Sequence, residues 1–243
     1  VIDDILDGHV QVVIAYGVEG SGRTTLLAQY AKRHSENAVC LFLSGTSRWG
    51  CDADIARADF ANQIEWILNK RELPSDTCID AALLRKLLIE LTRRAKRRSE
   101  VYYFIIDGLF ENAKWKSEIR QLIMTELPLV STSRCKFIFS QTPECPLDAE
   151  LAQLRHEVLR IPRFTEEESF RYLSDLNLSV EQARELHNIC TGMPGYLSTA
   201  KRILQSKPQM YLFSNLPATL TELFELEWKC VSGADDRTYR YLA

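Results

Sequence analysis

This chain of 243 residues offers little to a membrane, a disulfide framework or a zinc site. No apolar run approaches the ~18 residues that a bilayer-spanning helix needs. No charged, then apolar, then small-residue leader opens the sequence, so neither a signal peptide nor an anchor is expected. Seven cysteines (40, 51, 78, 135, 145, 190 and 230) are scattered without a single Cys-x-x-Cys pair. An odd count without ligand spacing argues against a disulfide scaffold and against zinc, and a reducing, cytoplasmic compartment is the expectation. Positive charge is not in excess either. Lysine and arginine total 30 against 33 acids, a net charge of −3, which gives no bulk electrostatic reason to expect a nucleic-acid partner. Internal repeats and low-complexity stretches are absent. So is an initiating methionine, and the sequence is expected to be a piece of something longer.

One further lack sits inside a motif. Gly17-Val18-Glu19-Gly20-Ser21-Gly22-Arg23-Thr24-Thr25 has the spacing of a phosphate-binding loop, but arginine stands at the lysine position. Glycines at 17, 20 and 22 let the backbone fold into a nest whose N–H groups converge on an anion. The helix that follows adds its positive dipole end to the same place. Thr24 stands where a hydroxyl would ligate magnesium bridging the terminal phosphates. A lysine there is a compact point charge, whereas a guanidinium is planar and wants a two-pronged partner. The loop is therefore expected to hold a nucleotide, with Arg23 on its phosphates, while hydrolysis stays an open question. The flanks fit: residues 9–16 are a β-branched run predicting a buried strand, and 24–33 carry strong helix formers with Leu27, Tyr30 and Ala31 on one face.

The same alternation continues. Strands are predicted over 38–44, 101–106, 136–140 and 158–161, and helices over 54–70, 79–98 and about 115–127. Short strands separated by helices predict an α/β domain with a parallel sheet covered on both faces. From Thr165 the pattern becomes helical only: a capped start at Thr165-Glu166-Glu167-Glu168, then helices over 180–189, 195–204 and about 219–229. The expected organisation is an α/β nucleotide-binding domain over 1–162 followed by a small helical lobe over 163–243. The run Arg93-Arg94-Ala95-Lys96-Arg97-Arg98 reads either as a patch for an acidic partner or as cations solvating a helix C-terminus.

A phosphate loop needs an acid on another strand to hold magnesium. Asp107 closes the apolar run 101–106, at the strand end where ligands sit on open α/β sheets. Glu111, four residues on, is placed to polarise a water for attack on a γ-phosphate.

These stretches together resemble the signal-transduction ATPases with numerous domains (STAND), the NACHT and NB-ARC type of AAA+-related NTPase. Besides Gly17–Thr25, the likeness is carried by Ile105-Ile106-Asp107-Gly108-Leu109-Phe110-Glu111, by Phe137-Ile138-Phe139-Ser140-Gln141-Thr142-Pro143, and by Gly192-Met193-Pro194. It spans nearly the whole chain. The resemblance implies ATP or ADP with magnesium on a parallel P-loop NTPase sheet, Pro194 near the adenine, and Gln141 on the sensor strand. It also implies a nucleotide-dependent switch in signalling or defence, partnered by other protein domains or by copies of itself. Three positions depart from the pattern. Arg23 replaces the lysine, Phe110 replaces the middle acid of the second motif, and Gln141 stands where many relatives carry arginine. Loss of one charged stabiliser costs on the order of a hundredfold in rate, so slow or absent hydrolysis is expected, and Arg23→Lys, alone or with Phe110→Asp, is expected to raise it. A catalytically inactive scaffold acting through protein contacts is the alternative.

Overall fold

In the computed structural model, residues 2–7, 10–43, 52–110, 117–127, 134–145, 151, 153–206, 216–217 and 219–232 are described. They fall into two compact units. One comprises the chain up to Val18 together with Arg23–Ile161; the other comprises Glu19–Gly22 together with the chain from Pro162 onward.

The first unit is a five-stranded, wholly parallel sheet in the order β2-β3-β4-β1-β5. Its strands are β1 Val12–Tyr16, β2 Ala38–Phe42, β3 Tyr102–Phe110, β4 Cys135–Gln141 and β5 His156–Arg160. The helices are α1 Ile2–Leu6, α2 Arg23–Arg33, α3 Ala53–Asn69, α4 Ala81–Arg98 and α5 Ser117–Glu126. Parallel strands covered on both faces must be apolar throughout, and β1 shows why. Side chains alternate along a strand. Val12 and Ile14 join a core with Phe60, Ile64, Leu84, Leu91 and Ile123 from α3, α4 and α5. Val13 and Ala15 face the other way, into a core with Ile2 and Leu6 of α1 and Leu27 and Tyr30 of α2. β1 lies between β4 and β5, with Val12 beside both Phe137 and His156 in register. The chain leaving β1 must therefore cross two strands to reach β2 at the edge, which opens the crevice where open α/β sheets bind ligands.

Two features differ from the sequence-based expectation. α1 has no signature in the sequence, because five residues are too few to show a helical period. β3 runs past Asp107 to Phe110, with a register shift between Ile106 and Phe110. Gly108 makes the bulge. Its φ is +80°, and a Cβ there would sit 2.3 Å from the Leu43 carbonyl oxygen, so only glycine fits.

The second unit is helical: α6 Glu166–Leu173 followed by a 3-10 turn Ser174–Leu176, then α7 Val180–Cys190, α8 Pro194–Ser206 and α9 Leu220–Ser232. Thr165 with Glu168 and Ser179 with Gln182 form reciprocal capping boxes that set the starts of α6 and α7. Leu173, Leu186, Cys190, Leu197, Ala200 and Leu204 make its core. Among the described residues no helix is long and apolar enough to cross a membrane.

Candidate phosphate site

The loop begins where β1 ends. The Gly17 amide donates to the Gln141 carbonyl at 3.2 Å, so the start of the loop is pinned to the end of β4. Gly20 and Gly22 have φ of +79° and +93°, the left-handed region that lets successive amides converge. α2 starts at Arg23, which aims the positive end of an 11-residue helix at the loop. Val18 is exposed at the surface of this turn, and Glu19 and Thr25 are exposed as well.

Arg23 is not displayed to solvent. It is 7% exposed, and its Nη1 donates to the Gly17 carbonyl at 2.7 Å. The guanidinium thus braces the loop from which it grows, something a lysine would do with one ammonium and less directional geometry.

The hydroxyl of Thr24 donates to Asp107 Oδ2 at 2.6 Å, across 83 residues of sequence. β4 separates β1 from β3 in the sheet, so this bond reaches over the end of an intervening strand. Asp107 is 4% exposed, and its other oxygen, Oδ1, is buried without a hydrogen-bond partner. A buried carboxylate oxygen left bare costs about 1–3 kcal/mol, a cost that a bound hard cation would remove. Two oxygen donors of this kind suit magnesium, which favours a carboxylate, a hydroxyl and phosphate oxygens over an all-protein cage. Ser21 in the loop shows the same sign: it is 5% exposed, and its Oγ is buried with no partner. The residues present therefore fit a phosphate ligand with magnesium.

The β3 bulge positions Asp107. Behind it, the Gly108 amide donates to the fully buried Ser140 hydroxyl at 2.8 Å. Beside it, the Leu43 amide donates to the Asp107 carbonyl at 3.0 Å. Phe110 is placed differently from the sequence expectation. It does not stand beside Asp107 in the position of a metal-binding acid. It is fully buried, its ring edge-to-face with Phe139 at 5.8 Å between centroids and covered by the Arg120 guanidinium at 5.2 Å. An acid at this position would enter the core, so Phe110→Asp is no restoration of a site. Glu111 lies outside the described residues. Gln141 reaches the loop through its backbone, while its side-chain Nε2 donates to the Cys145 carbonyl at 2.9 Å.

Pro194 is the first residue of α8, where a missing N–H costs nothing. It belongs to the same unit as Glu19–Gly22, and a Cβ built on Gly22 would lie 3.9 Å from the Pro194 Cβ. Sequence reasoning missed its neighbour. The Gly195 amide donates to the Gly20 carbonyl at 2.7 Å, and no local pattern distinguishes that glycine from an ordinary helix start.

Arg94, Arg97 and Arg98 of the basic run at the end of α4 have partners within the chain. Arg94 donates to the Ile67 and Leu68 carbonyls at 3.1 and 2.9 Å, closing the C-terminal end of α3. Arg97 pairs with Glu90, and Arg98 with Glu100.

A Walker-type ATPase of Pyrococcus abyssi superposes with a TM-score of 0.50 at 11% identity, over 96% of this chain and 70% of that one. The fold is the α/β P-loop fold. Fainter likenesses are to PCH-2 of C. elegans (TM-score 0.42, 13% identity, 98% of this chain and 64% of that one) and to Drosophila ORC bound to DNA (0.45, 15%, 92% and 56%). This chain spans less than two thirds of each of those two, and at such scores neither carries an argument. No protein-family description matches the sequence, and no curated protein does.

Proposed function

We propose that the chain is the nucleotide-binding core of a P-loop ATPase-like protein, holding ATP or ADP with magnesium at Gly17–Thr25. The observation that carries this reading is the Thr24–Asp107 bond at 2.6 Å with Asp107 Oδ1 buried and bare beside it. Loop hydroxyl and strand carboxylate converge on one point, as two ligands of a shared cation would. The backbone nest and the α2 dipole supply phosphate affinity that does not depend on the missing lysine. Thr24 and Asp107 would hold the magnesium, and Ser21 would offer its hydroxyl to a phosphate. Bound there, the metal would neutralise charge on the terminal phosphates.

Slow or absent hydrolysis belongs to the same proposal. The Arg23 guanidinium already donates to Gly17, and the Gln141 amide donates to Cys145, so two of the three departures from the motif are engaged with the protein's own backbone. The role of a signalling switch, with self-association or partner domains as its output, is supported by the resemblance of the four motif stretches to STAND NTPases. Those same two engaged side chains favour the second reading, a nucleotide-stabilised scaffold that acts through protein contacts. The two differ in turnover, and Glu111 as water-orienting residue belongs only to the first.

Chromatography of small molecules released by denaturing the purified protein tests nucleotide binding itself. Adenine nucleotide at a fixed ratio to protein is the expected result. Folded protein that carries none, and whose melting temperature is unmoved by millimolar Mg-ATP or Mg-ADP, would contradict the proposal.

A further inference from the structure

The turn between α7 and α8 is fixed at nearly every residue. Thr191 caps α7 in the left-handed region, with φ of 51°. Gly192 follows at φ +67°, where a Cβ would sit 2.4 Å from the Phe164 carbonyl oxygen. The Phe164 amide donates back to the Gly192 carbonyl at 2.8 Å, and the Met193 amide to the Cys190 carbonyl at 2.9 Å. Pro194 has its φ locked by the ring. What this turn delivers is the Gly195 amide, 2.7 Å from the carbonyl oxygen of Gly20. A Cβ on Gly195 would lie 2.8 Å from Gly20 Cα and 2.9 Å from Gly20 O, both backbone atoms that cannot swing aside.

The consequence follows from the peptide plane. No peptide bond in the described chain is cis, so the Gly20 carbonyl and the Ser21 N–H, which share one plane, point in opposite directions. Holding the carbonyl against Gly195 turns the Ser21 amide to the other side. Ser21 is also the residue whose buried hydroxyl has no partner.

We propose that Gly195 is a positioning residue of the phosphate loop: by holding the Gly20 carbonyl it orients the Ser21 amide for a phosphate oxygen, and it thereby links occupancy of the loop to docking of the α8 turn. This rests on the reading of Gly17–Thr25 as a phosphate site. The linkage is reciprocal, so phosphate binding must tighten the turn by the same factor by which the turn tightens binding.

Calorimetric titration with Mg-ADP and with sodium tripolyphosphate, which has no base, tests the proposal on wild type, Gly195→Ala and Leu186→Ala. Leu186 is fully buried in the core of the helical unit, and its truncation is a control for lost stability alone. Gly195→Ala is expected to weaken both ligands on the order of tenfold or more, within the usual range of coupling between sites. Leu186→Ala is expected to leave both affinities unchanged. Folded Gly195→Ala that binds both ligands like wild type would overturn the proposal. So would a loss confined to Mg-ADP, which would place the effect on the base side. Wild type that binds neither ligand would overturn the phosphate reading itself, and this proposal with it. If Gly195→Ala does not fold, hydrogen exchange in wild type decides: saturating Mg-ADP should slow exchange over residues 193–200, and unchanged exchange there would overturn the linkage.

Discussion

Replacing Phe110 is the perturbation for which motif reasoning and the structure give opposite answers. By motif, an acid there completes a magnesium site and raises activity. By structure, the ring is fully buried between Phe139 and Arg120. Truncating a buried phenylalanine to alanine costs about 3–5 kcal/mol through lost transfer energy and the cavity left behind. The edge-to-face pair with Phe139 accounts for about 0.5–1.5 kcal/mol of that cost. The guanidinium over the ring accounts for about 0.5–2 kcal/mol of the same cost. Aspartate adds the burial of a carboxylate beside Arg120, which already donates to the Leu109 carbonyl and to Cys145 Sγ. For a chain of this size each kcal/mol moves the melting temperature by roughly 2–4 °C, so Phe110→Ala should lower it by about 6–20 °C and Phe110→Asp by more. Phe110→Leu, which keeps most of the volume, should cost under about 1.5 kcal/mol. Urea unfolding followed by tryptophan fluorescence and circular dichroism measures all three. Phe110→Asp with wild-type stability and stronger magnesium-dependent nucleotide binding would refute this placement of the side chain.

Thr24→Ala should weaken magnesium-dependent nucleotide binding by about tenfold or more, and should lower the stability of the free protein by about 1–3 kcal/mol because it leaves the buried Asp107 carboxylate without its donor; calorimetry with and without EDTA, and urea unfolding, check both. At the other end of the sheet, the Tyr30 hydroxyl donates to Asp3 Oδ1 at 2.6 Å and, with His34 and Arg33 nearby, holds the Asp3 carboxyl below its usual range of about 3.8. A carboxyl depressed on folding stabilises above its unfolded pKa and loses that contribution as pH falls through the folded value. Wild type should therefore lose stability relative to Asp3→Asn as pH falls below about 4, and parallel stability curves for the two proteins from pH 5 to pH 2 would contradict that. Gly108→Ala should be severely destabilising, since its Cβ has nowhere to go against the Leu43 carbonyl; a melting temperature within 2 °C of wild type, roughly the shift from one kcal/mol, would show that the bulge is wrongly drawn.

What was legible in the sequence was what local chemistry dictates. The strand, glycine loop and helix around residues 12–33 announce themselves because the loop needs glycine at particular positions and the flanks need opposite periodicities. The start of α6 was readable from Thr165 and Glu168, a pair whose two hydrogen bonds are local. The acid on β3 was readable from its place after an apolar run. The rest depends on distant chain. β3 bends at Gly108, where the Leu43 carbonyl leaves no room for a Cβ, so the strand continues where sequence would stop it, and Phe110 turns into the core. Gly195 matters because of Gly20, 175 residues earlier, and nothing in its neighbours reports that contact. α1 is held by Ile2 and Leu6 in a core made by other elements, so its own five residues carry too little pattern to reveal it.

The most direct test of the account is calorimetric titration of folded, nucleotide-stripped wild-type protein with Mg-ATP and Mg-ADP, beside Gly22→Val. Saturable one-to-one binding that weakens in EDTA, and that is lost when a β-branched side chain is forced into the φ of +93° at position 22, is the predicted result. No heat of binding from wild type at millimolar nucleotide, or undiminished binding by Gly22→Val, would contradict the claim that this loop is a phosphate site.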